Sequence, residues 1–209
     1  MEFEILRDSP FFADDFTATV IDDISPITLS GFTFLAVAGG VAMIETGYIL
    51  CAGMFACLPA DTVLHLREAR LMLVTLRRFE GIPLVGGPVE RTGRLDYIDG
   101  CSDTGLIAPL RLGNPCLNFL HFPPGVRQTR HTHPSHRIGL VYRGNGVCIH
   151  DNGETPMRAG DVFALPAWTP HCFHTAEDIM DIIAFHPDSV FGPTDESHQM
   201  KNATIQNAA

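Results

Sequence analysis

Histidines are distributed very unevenly along this chain of 209 residues. Nine of the ten follow residue 105, and only His65 precedes it. Five of them form two short clusters, which are His131, His133 and His136, and His171 and His174. Neutral imidazole is a good ligand for iron, copper, nickel and zinc. The sequence therefore predicts that any metal chemistry resides in the second half of the chain.

The pair His131 and His133 has the spacing that an extended segment needs to aim two rings at one point. Side chains two residues apart on a strand lie on the same face. An isolated pair of this kind, beside Pro134, is more simply a solvated loop. A third imidazole must come from elsewhere, and His171 is a candidate because it follows a separate glycine-to-proline segment. Three histidines on one side of a metal leave positions open for substrate or water, as catalytic sites require.

An internal repeat sets the frame in which these histidines lie. Residues 52–60 read AGMFACLPA and residues 159–167 read AGDVFALPA, at a constant offset of 107. Upstream of each lies a second likeness, LAVAGGVAMI at 35–44 and LVYRGNGVCI at 140–149. The sequence thus predicts one strand-rich unit that occurs twice.

Short apolar runs separated by turn residues predict an all-β fold. The chain contains 19 Gly and 15 Pro, and turn signals recur about every 8–12 residues, which is typical of a sandwich or barrel. Residues 67–79 could form a helix, but their apolar positions make no single stripe, so a strand is favoured. We expect a first unit at 1–79, a Gly- and Pro-rich connector at 80–105, a second unit at 106–187 and a polar tail at 188–209.

Charge and composition argue against several classes of partner. The 14 Lys+Arg and 24 Asp+Glu give a formal charge of −10, which disfavours nucleic acid and anionic membrane surfaces. The longest apolar run, 32–44, is shorter than the ~18 residues that a membrane span needs. No secretory signal is expected at the acidic N-terminus. The six cysteines form no C-x-x-C pair and are expected to be buried thiols of a cytoplasmic protein.

The first histidine cluster lies in a pattern that resembles the first motif of the cupin superfamily. That motif is a glycine, five residues, H-x-H, three or four residues, a glutamate, six residues and a glycine. Here Gly125 is followed by VRQTR, His131 and His133, then PSH, Arg137, six residues and Gly144. The spacing is retained, and the residue type changes at the glutamate position.

The second cluster resembles the second cupin motif, which runs glycine, five residues, proline, x, glycine, two residues, histidine, three residues, asparagine. Here Gly160 is followed by DVFAL, Pro166, Ala, Trp168, two residues, His171, three residues and Thr175. The motif glycine and asparagine are thus replaced by Trp168 and Thr175.

The resemblance implies tandem cupin barrels, each a double-stranded β-helix or jelly roll, arranged as a bicupin. It implies that His131, His133 and His171 hold one metal ion inside the barrel at 106–187. In the degenerate first copy, Leu64 occupies the position that corresponds to His171, so the resemblance implies a structural, metal-free barrel there.

Arg137 at the glutamate position leaves two interpretations open. Arginine cannot ligate a metal, and a buried guanidinium needs an anion, so Arg137 could bind a substrate carboxylate during catalysis. Alternatively, an internal acid pairs with Arg137, or a loop shift turns it outward and brings His136 in as a fourth ligand. Residues 136 and 137 lie on opposite faces of a regular strand, so both roles cannot hold together. Trp168, at a hairpin tip, is a candidate to line the substrate pocket.

The resemblance favours a mononuclear metal enzyme, because cupin sites with three histidines and no glutamate are similar to those of thiol and ring-cleaving dioxygenases. Fe(II) is the favoured ion, with Ni, Mn, Cu or Zn as alternatives, and the expected substrate is a small organic acid. The competing hypotheses are a non-catalytic small-molecule sensor and a metal-dependent isomerase or lyase. A homodimer is expected by resemblance alone.

Overall fold

A computed structural model describes residues 2–198, and their regular structure is almost entirely β. One 3-10 turn, Ile98–Gly100, is the exception among these residues. In chain order the strands are β1 (Glu4–Leu6), β2 (Phe11–Phe12), β3 (Phe16–Asp23), β4 (Ile27–Thr28), β5 (Phe32–Ile44), β6 (Ile49–Cys51), β7 (Phe55–Leu58), β8 (Val63–Leu76), β9 (Leu84–Gly86), β10 (Leu95–Asp96), β11 (Ser102–Ile107), β12 (Cys116–Phe122), β13 (Arg137–His150), β14 (Gly153–Arg158), β15 (Val162–Leu165), β16 (His171–His174) and β17 (Met180–His186).

The strands form two antiparallel sheets, which confirms the all-β fold class. One sheet has the order β2-β3-β8-β5-β7-β9, with β4 on β8 and β6 on β5. The other has the order β1-β15-β13-β17-β12-β11-β10, with β14 and β16 on β13. The segment that could have been helical lies in β8, which pairs along its length with β5 and along much of it with β3.

The repeated sequence forms the same hairpin in both halves. The Gly53 N–H donates to the Val37 carbonyl over 2.9 Å, and the Gly160 N–H donates to the Val141 carbonyl over 2.8 Å. Both glycines have positive φ, +80° and +89°, a conformation that side chains disfavour. The identical turn geometry explains why glycine occurs at both places.

Segments outside the repeat are built into both sheets. Strand β9 pairs with β7, whereas β10 and β11 extend the sheet that contains β12. The range 80–105, expected to be a connector, thus contributes strands to each sheet. Strand β1 pairs with β15, so the N-terminal segment crosses to the sheet of the second half.

The two sheets pack against each other through a shared apolar cluster. Phe34 and Phe16 from the first half contact Phe185 from the second, with ring centroids 5.2 Å and 5.6 Å apart. Burying aromatic side chains is strongly favourable, so this cluster ties the halves together.

The interior of the first half is apolar where the second half carries a histidine. Leu64 is fully buried in a cluster with Leu35, Leu50 and Leu71. The position that corresponds to His171 in the repeat is therefore part of a leucine-rich core.

Five of the six cysteines are buried, and all six are free thiols. Cys51 is exposed, which corrects the expectation that every cysteine is buried, because it lies on the short strand β6 beside a turn. Over residues 2–198 the fold contains no helix that is long and apolar enough to cross a membrane.

Candidate metal centre

The segment that links β12 to β13 brings His131 directly opposite His171. The His131 N–H donates to the His171 carbonyl over 2.9 Å, and the His171 N–H donates to the His131 carbonyl over 3.0 Å. Gln128 anchors the same segment further along, because its Oε1 accepts from the Phe173 N–H over 3.1 Å. Residues that face each other in an antiparallel pair project their side chains to the same side.

The three predicted ligands form one cluster. The candidate ligand atoms of His131, His133 and His171 all lie within 4.8 Å of one another. The ring centroids are 4.9 Å apart for His131 and His133, 4.5 Å for His131 and His171, and 5.1 Å for His133 and His171. Strand β16, which carries His171, and the bridged segment that carries His131 and His133 thus bring three imidazoles together at one point.

Backbone carbonyls orient two of these rings. His131 Nδ1 lies 2.8 Å from the Thr129 carbonyl oxygen, and His171 Nδ1 lies 2.9 Å from the Thr169 carbonyl oxygen. A carbonyl only accepts, so each Nδ1 donates and each neutral ring keeps its lone pair on Nε2. His171 Nε2 is buried and has no hydrogen-bond partner. This arrangement is the one that metal-binding histidines usually have, and the residues fit a metal ion.

Burial favours the neutral form of two of the histidines. Burial, together with the positive charge of Arg137, lowers the pKa of His133 to about 3. Burial also lowers the pKa of His171 to about 4. Neutral imidazole is the form that binds metals, so no proton needs to leave these rings near pH 7.

A cavity of about 230 Å³ adjoins the cluster. Its polar wall is formed by Tyr97, Asp103, Asn118, His133, Arg137, His171 and His186. The apolar wall is formed by Leu120, Phe163, Leu165, Phe173, Ile182 and Ala184. The cavity is small and largely apolar, with a few polar groups, as ligand sites usually are.

Arg137 lies in the wall of this cavity. Its Nη1 donates to the carbonyl oxygens of Ser135 and His136 over 3.2 Å and 2.9 Å, and to the Ser135 hydroxyl. Its Nε is buried without a partner. Burial lowers the pKa of Arg137, and the negative charge of Asp188 raises it. The guanidinium thus keeps one buried donor, Nε, without an acceptor. The groups that accept from its Nη1 are uncharged.

His136 lies apart from the three-histidine cluster. Its Nδ1 accepts from the Ala167 N–H over 3.2 Å. Its ring meets Phe11 and Phe16 edge-on, with centroids 5.4 Å and 6.1 Å away. The metal-ligand group found in the described residues does not include His136. Of the two interpretations of this strand start, the geometry favours Arg137 at the cavity.

Trp168 does not line the cavity, because its side chain is 66% exposed. Its backbone N–H donates to the His133 carbonyl over 2.8 Å, at a positive φ of 62°. The residue thus holds the backbone of His133, and the expected contact between its indole and a substrate has no support in this geometry.

The sequence reasoning did not place Tyr97, Asp103, Asn118 or His186 in the wall of this cavity. The Asn118 Nδ2 donates to Asp103 Oδ2 over 2.7 Å. An asparagine within the apolar run LNFLHF is the signal that could have pointed to this site, because a polar side chain on a buried strand needs a purpose.

The chain is similar to known proteins in sequence over one segment and in fold over most of its length. Residues 118–185 match the cupin domain family. A cupin 2 conserved barrel domain protein from Leptotrichia buccalis is 16% identical, with a TM-score of 0.61, covering 90% of this chain and 89% of that one. A glyoxylate-induced protein from Pseudomonas aeruginosa is 16% identical, with a TM-score of 0.64, covering 92% and 82%.

Salicylate 1,2-dioxygenase from Pseudoaminobacter salicylatoxidans, solved as adducts with gentisate, is 10% identical, with a TM-score of 0.60, covering 82% of this chain and 67% of that one. At these identities the likeness concerns the fold. No curated protein sequence matches the chain significantly.

Proposed function

We propose that this chain, whose residues 118–185 match the cupin domain family, is a mononuclear metal-dependent enzyme that acts on a small organic acid. The observation that carries the proposal is the convergence of His131, His133 and His171 beside a cavity, with the His171 Nε2 buried and unpartnered. A buried polar atom without a partner is rare in native proteins and calls for an explanation. A metal ion provides one.

The donor set of three neutral imidazoles suits one divalent ion of the first transition series. Fe(II) is favoured, and Ni, Mn, Cu or Zn would fit the same nitrogen ligands. When bound, Fe(II) would supply the redox chemistry by which a dioxygenase uses O₂. Three ligands from one side leave coordination positions free, in keeping with a catalytic role.

The residues of the chain would bind and orient the substrate. Arg137 offers a buried cationic donor, which a carboxylate complements through a charge-assisted hydrogen bond. Apolar side chains such as Phe163 and Leu165 cover the rest of the cavity wall and exclude water. Excluding water strengthens the pairing between Arg137 and an anion. This chain therefore holds the acid in one orientation beside the histidines.

The dioxygenase reaction is the finer part of the proposal. It is supported by the structural likeness to a salicylate dioxygenase that was solved as adducts with gentisate, an aromatic acid. It is also supported by the arginine that replaces the motif glutamate, because this change leaves three histidines as ligands. An isomerase or lyase would use the same ligands, and a sensor would use the same cavity without turnover.

Metal analysis of the purified full chain tests the proposal first. We expect close to one equivalent of metal in the wild type and a loss of metal in His133→Ala. His174→Ala is the matched control, because His174 lies on the same strand as His171 and its Nδ1 lies 3.1 Å from an arginine nitrogen, Arg127 Nη1. A wild type without metal that carries a tight organic ligand would favour the sensor.

Anaerobic reconstitution with Fe(II) tests the reaction. We expect O₂ consumption with at least one member of a panel of small carboxylates that includes salicylate and gentisate. Metal-loaded protein that converts an acid without consuming O₂ would favour the isomerase or lyase. Absence of turnover with every acid and every metal would refute the enzyme proposal.

A further inference from the structure

Within residues 2–198, three buried side-chain polar atoms have no hydrogen-bond partner. The residues that carry these atoms all line the same cavity. The atoms are Asn118 Oδ1, Arg137 Nε and His171 Nε2. Native proteins leave very few such atoms, so their clustering in the wall of a single small cavity indicates a ligand site. The three atoms differ in chemistry: one is an acceptor, one a cationic donor and one a metal-binding lone pair.

The orientation of the Asn118 amide is fixed by its neighbour. Its Nδ2 lies 2.7 Å from Asp103 Oδ2, and an ionised carboxylate can only accept. The amide NH₂ must therefore face Asp103, and the carbonyl oxygen is the atom left for a ligand. Asn118 lies on β12, between two neighbouring strands. It pairs with Gly105 of β11 on one side and with Ala184 of β17 on the other.

The ligand that complements these atoms must present two groups. Asp188 is linked to the Arg137 guanidinium through the Ser135 hydroxyl, but the buried Arg137 Nε still lacks an acceptor, which an anionic group would supply. Asn118 Oδ1 needs a hydrogen-bond donor. We infer that the substrate of the proposed reaction is a small carboxylate that also carries a hydroxyl or amino group, and that Asn118 selects for this donor. The inference rests on the proposed function and deepens it by naming the substrate class.

The selection works through the cost of an unsatisfied acceptor. A carboxylate without a donor binds Arg137 but keeps Asn118 Oδ1 buried and unpaired. Sites built to bond a hydroxyl or amine reject analogues that lack it far more strongly than apolar pockets reject a missing methylene. The cavity of about 230 Å³ restricts the acid to a small one. Asp103 is a positioning residue, because it acts through the Asn118 amide.

Calorimetric titration with matched pairs of acids tests the inference. The probes are lactate and alanine, each against propionate, and salicylate against benzoate, titrated into the full chain both metal-free and loaded with redox-inert Zn²⁺. We expect the donor-bearing member of at least one pair to bind at least tenfold more tightly to the wild type. In Asn118→Leu we expect this ratio to fall close to one. The lactate and alanine arms distinguish a hydroxyl from an amine.

Two further variants keep the test independent of folding defects in Asn118→Leu. In Asp103→Ala the amide is free to turn, so the ratio should also fall. Asn145→Leu is the matched control, because its exposed amide donates to Asp178 over 2.9 Å outside the cavity, and it should keep the wild-type ratio.

Equal binding of both members of every pair to the wild type would overturn the inference, as would absence of binding by all of them. An unchanged ratio in both Asn118→Leu and Asp103→Ala would do the same. Metal content is measured on the same samples. Wild-type protein with one equivalent of metal but no discrimination refutes the inference alone, whereas missing metal refutes the proposed function.

Discussion

Arg137 reverses the charge that the cupin motif would place beside the metal ligands. A glutamate there would add a fourth, anionic ligand, whereas the guanidinium adds a cation that lowers the pKa of His133. The same cation makes the cavity attractive to an anion. Under the proposed function, this one difference from the motif would change both the set of metal ligands and the charge of the preferred substrate.

Replacing Arg137 by Met should separate these effects. The side chain volume is kept approximately, but a charge-assisted hydrogen bond of about 1.5–3 kcal/mol is lost, so affinity for small carboxylates should fall about 10- to 100-fold. Metal content should stay unchanged, because arginine supplies no ligand atom. Titration with the acid and with its neutral methyl amide measures the effect. Equal weakening of both compounds would show that Arg137 acts through packing.

Site residues that lie within a short sequence motif could be predicted, whereas those that reach the cavity through long-range strand pairing could not. The spacing of His131 and His133 and the second motif at His171 were visible in the sequence, and the structure brings these three together. His136 and Arg137 lie on opposite faces of one strand, and the sequence alone does not determine which of the two side chains faces the cavity. Asn118 and Asp103 were missed because they lie on β12 and β11, upstream of both motifs, and reach the cavity through long-range pairing.

At the scale of elements, the long strands β5 and β13 each contain a glycine with positive φ near a shift in their pairing register. Gly40 and Gly144 have φ of +66° and +70°. A Cβ at Gly40 would overlap the Glu68 carbonyl oxygen, and a Cβ at Gly144 would overlap the Ile179 carbonyl oxygen. The neighbouring strands stay paired on both sides of each register shift, and the close approach at each glycine leaves no room for a side chain.

Gly40→Ala should therefore destabilise the protein by more than about 2 kcal/mol, because left-handed backbone costs a side chain about 1–2 kcal/mol and the overlap adds to that. Gly39→Ala is the adjacent control, since a Cβ there would meet no atom within 4 Å. Its effect should stay within about 1 kcal/mol. Urea unfolding followed by circular dichroism measures both. Equal effects would contradict the overlap at Gly40.

The elements themselves were predicted better than their partners. Short apolar runs between turn residues indicated the segments that form β5, β7, β13 and β15, and the lack of a helical stripe correctly favoured a strand in β8. Strand β1 has three residues and no recognisable period, so its pairing with β15 in the other sheet could not be foreseen.

At the scale of the whole molecule, the two halves share one of their apolar clusters. Phe34 belongs to the half without the histidine cluster, yet it packs on Phe185 of the other half. Strand β1 adds a second tie between the halves. We therefore expect the chain to unfold as one cooperative unit.

Phe34→Ala should lower the free energy of unfolding by about 3–5 kcal/mol, the usual cost of truncating a buried phenylalanine. It should also lower the temperature at which metal is released, although Phe34 lies outside the cavity. Phe12→Ala is the control, because Phe12 is 61% exposed. Circular dichroism and a metal-release dye followed in the same heating scan provide the measurement. Metal release at the wild-type temperature would mean that the halves unfold separately.

Thiol accessibility gives a second global prediction. Burial raises the pKa of Cys57, Cys101 and Cys116 to about 11 and that of Cys148 to about 12, so at pH 8 almost none of these groups is thiolate. The exposed Cys51 should react alone in a fast phase with a thiol reagent. The other five should react only after denaturant is added. Cys51→Ser should abolish the fast phase, and more than one fast thiol in the wild type would contradict this packing.

The leucine-filled interior of the first half has a consequence for how this protein tolerates change. The apolar cluster around Leu64 contains none of the residues proposed to bind metal or substrate, so its packing contributes to the stability of the fold. This stability can offset the cost of the buried atoms without hydrogen-bond partners in the second half. Substitutions in the polar wall of the cavity that alter the bound ligand should consequently be tolerated better here than in a protein whose single core also forms the binding cavity.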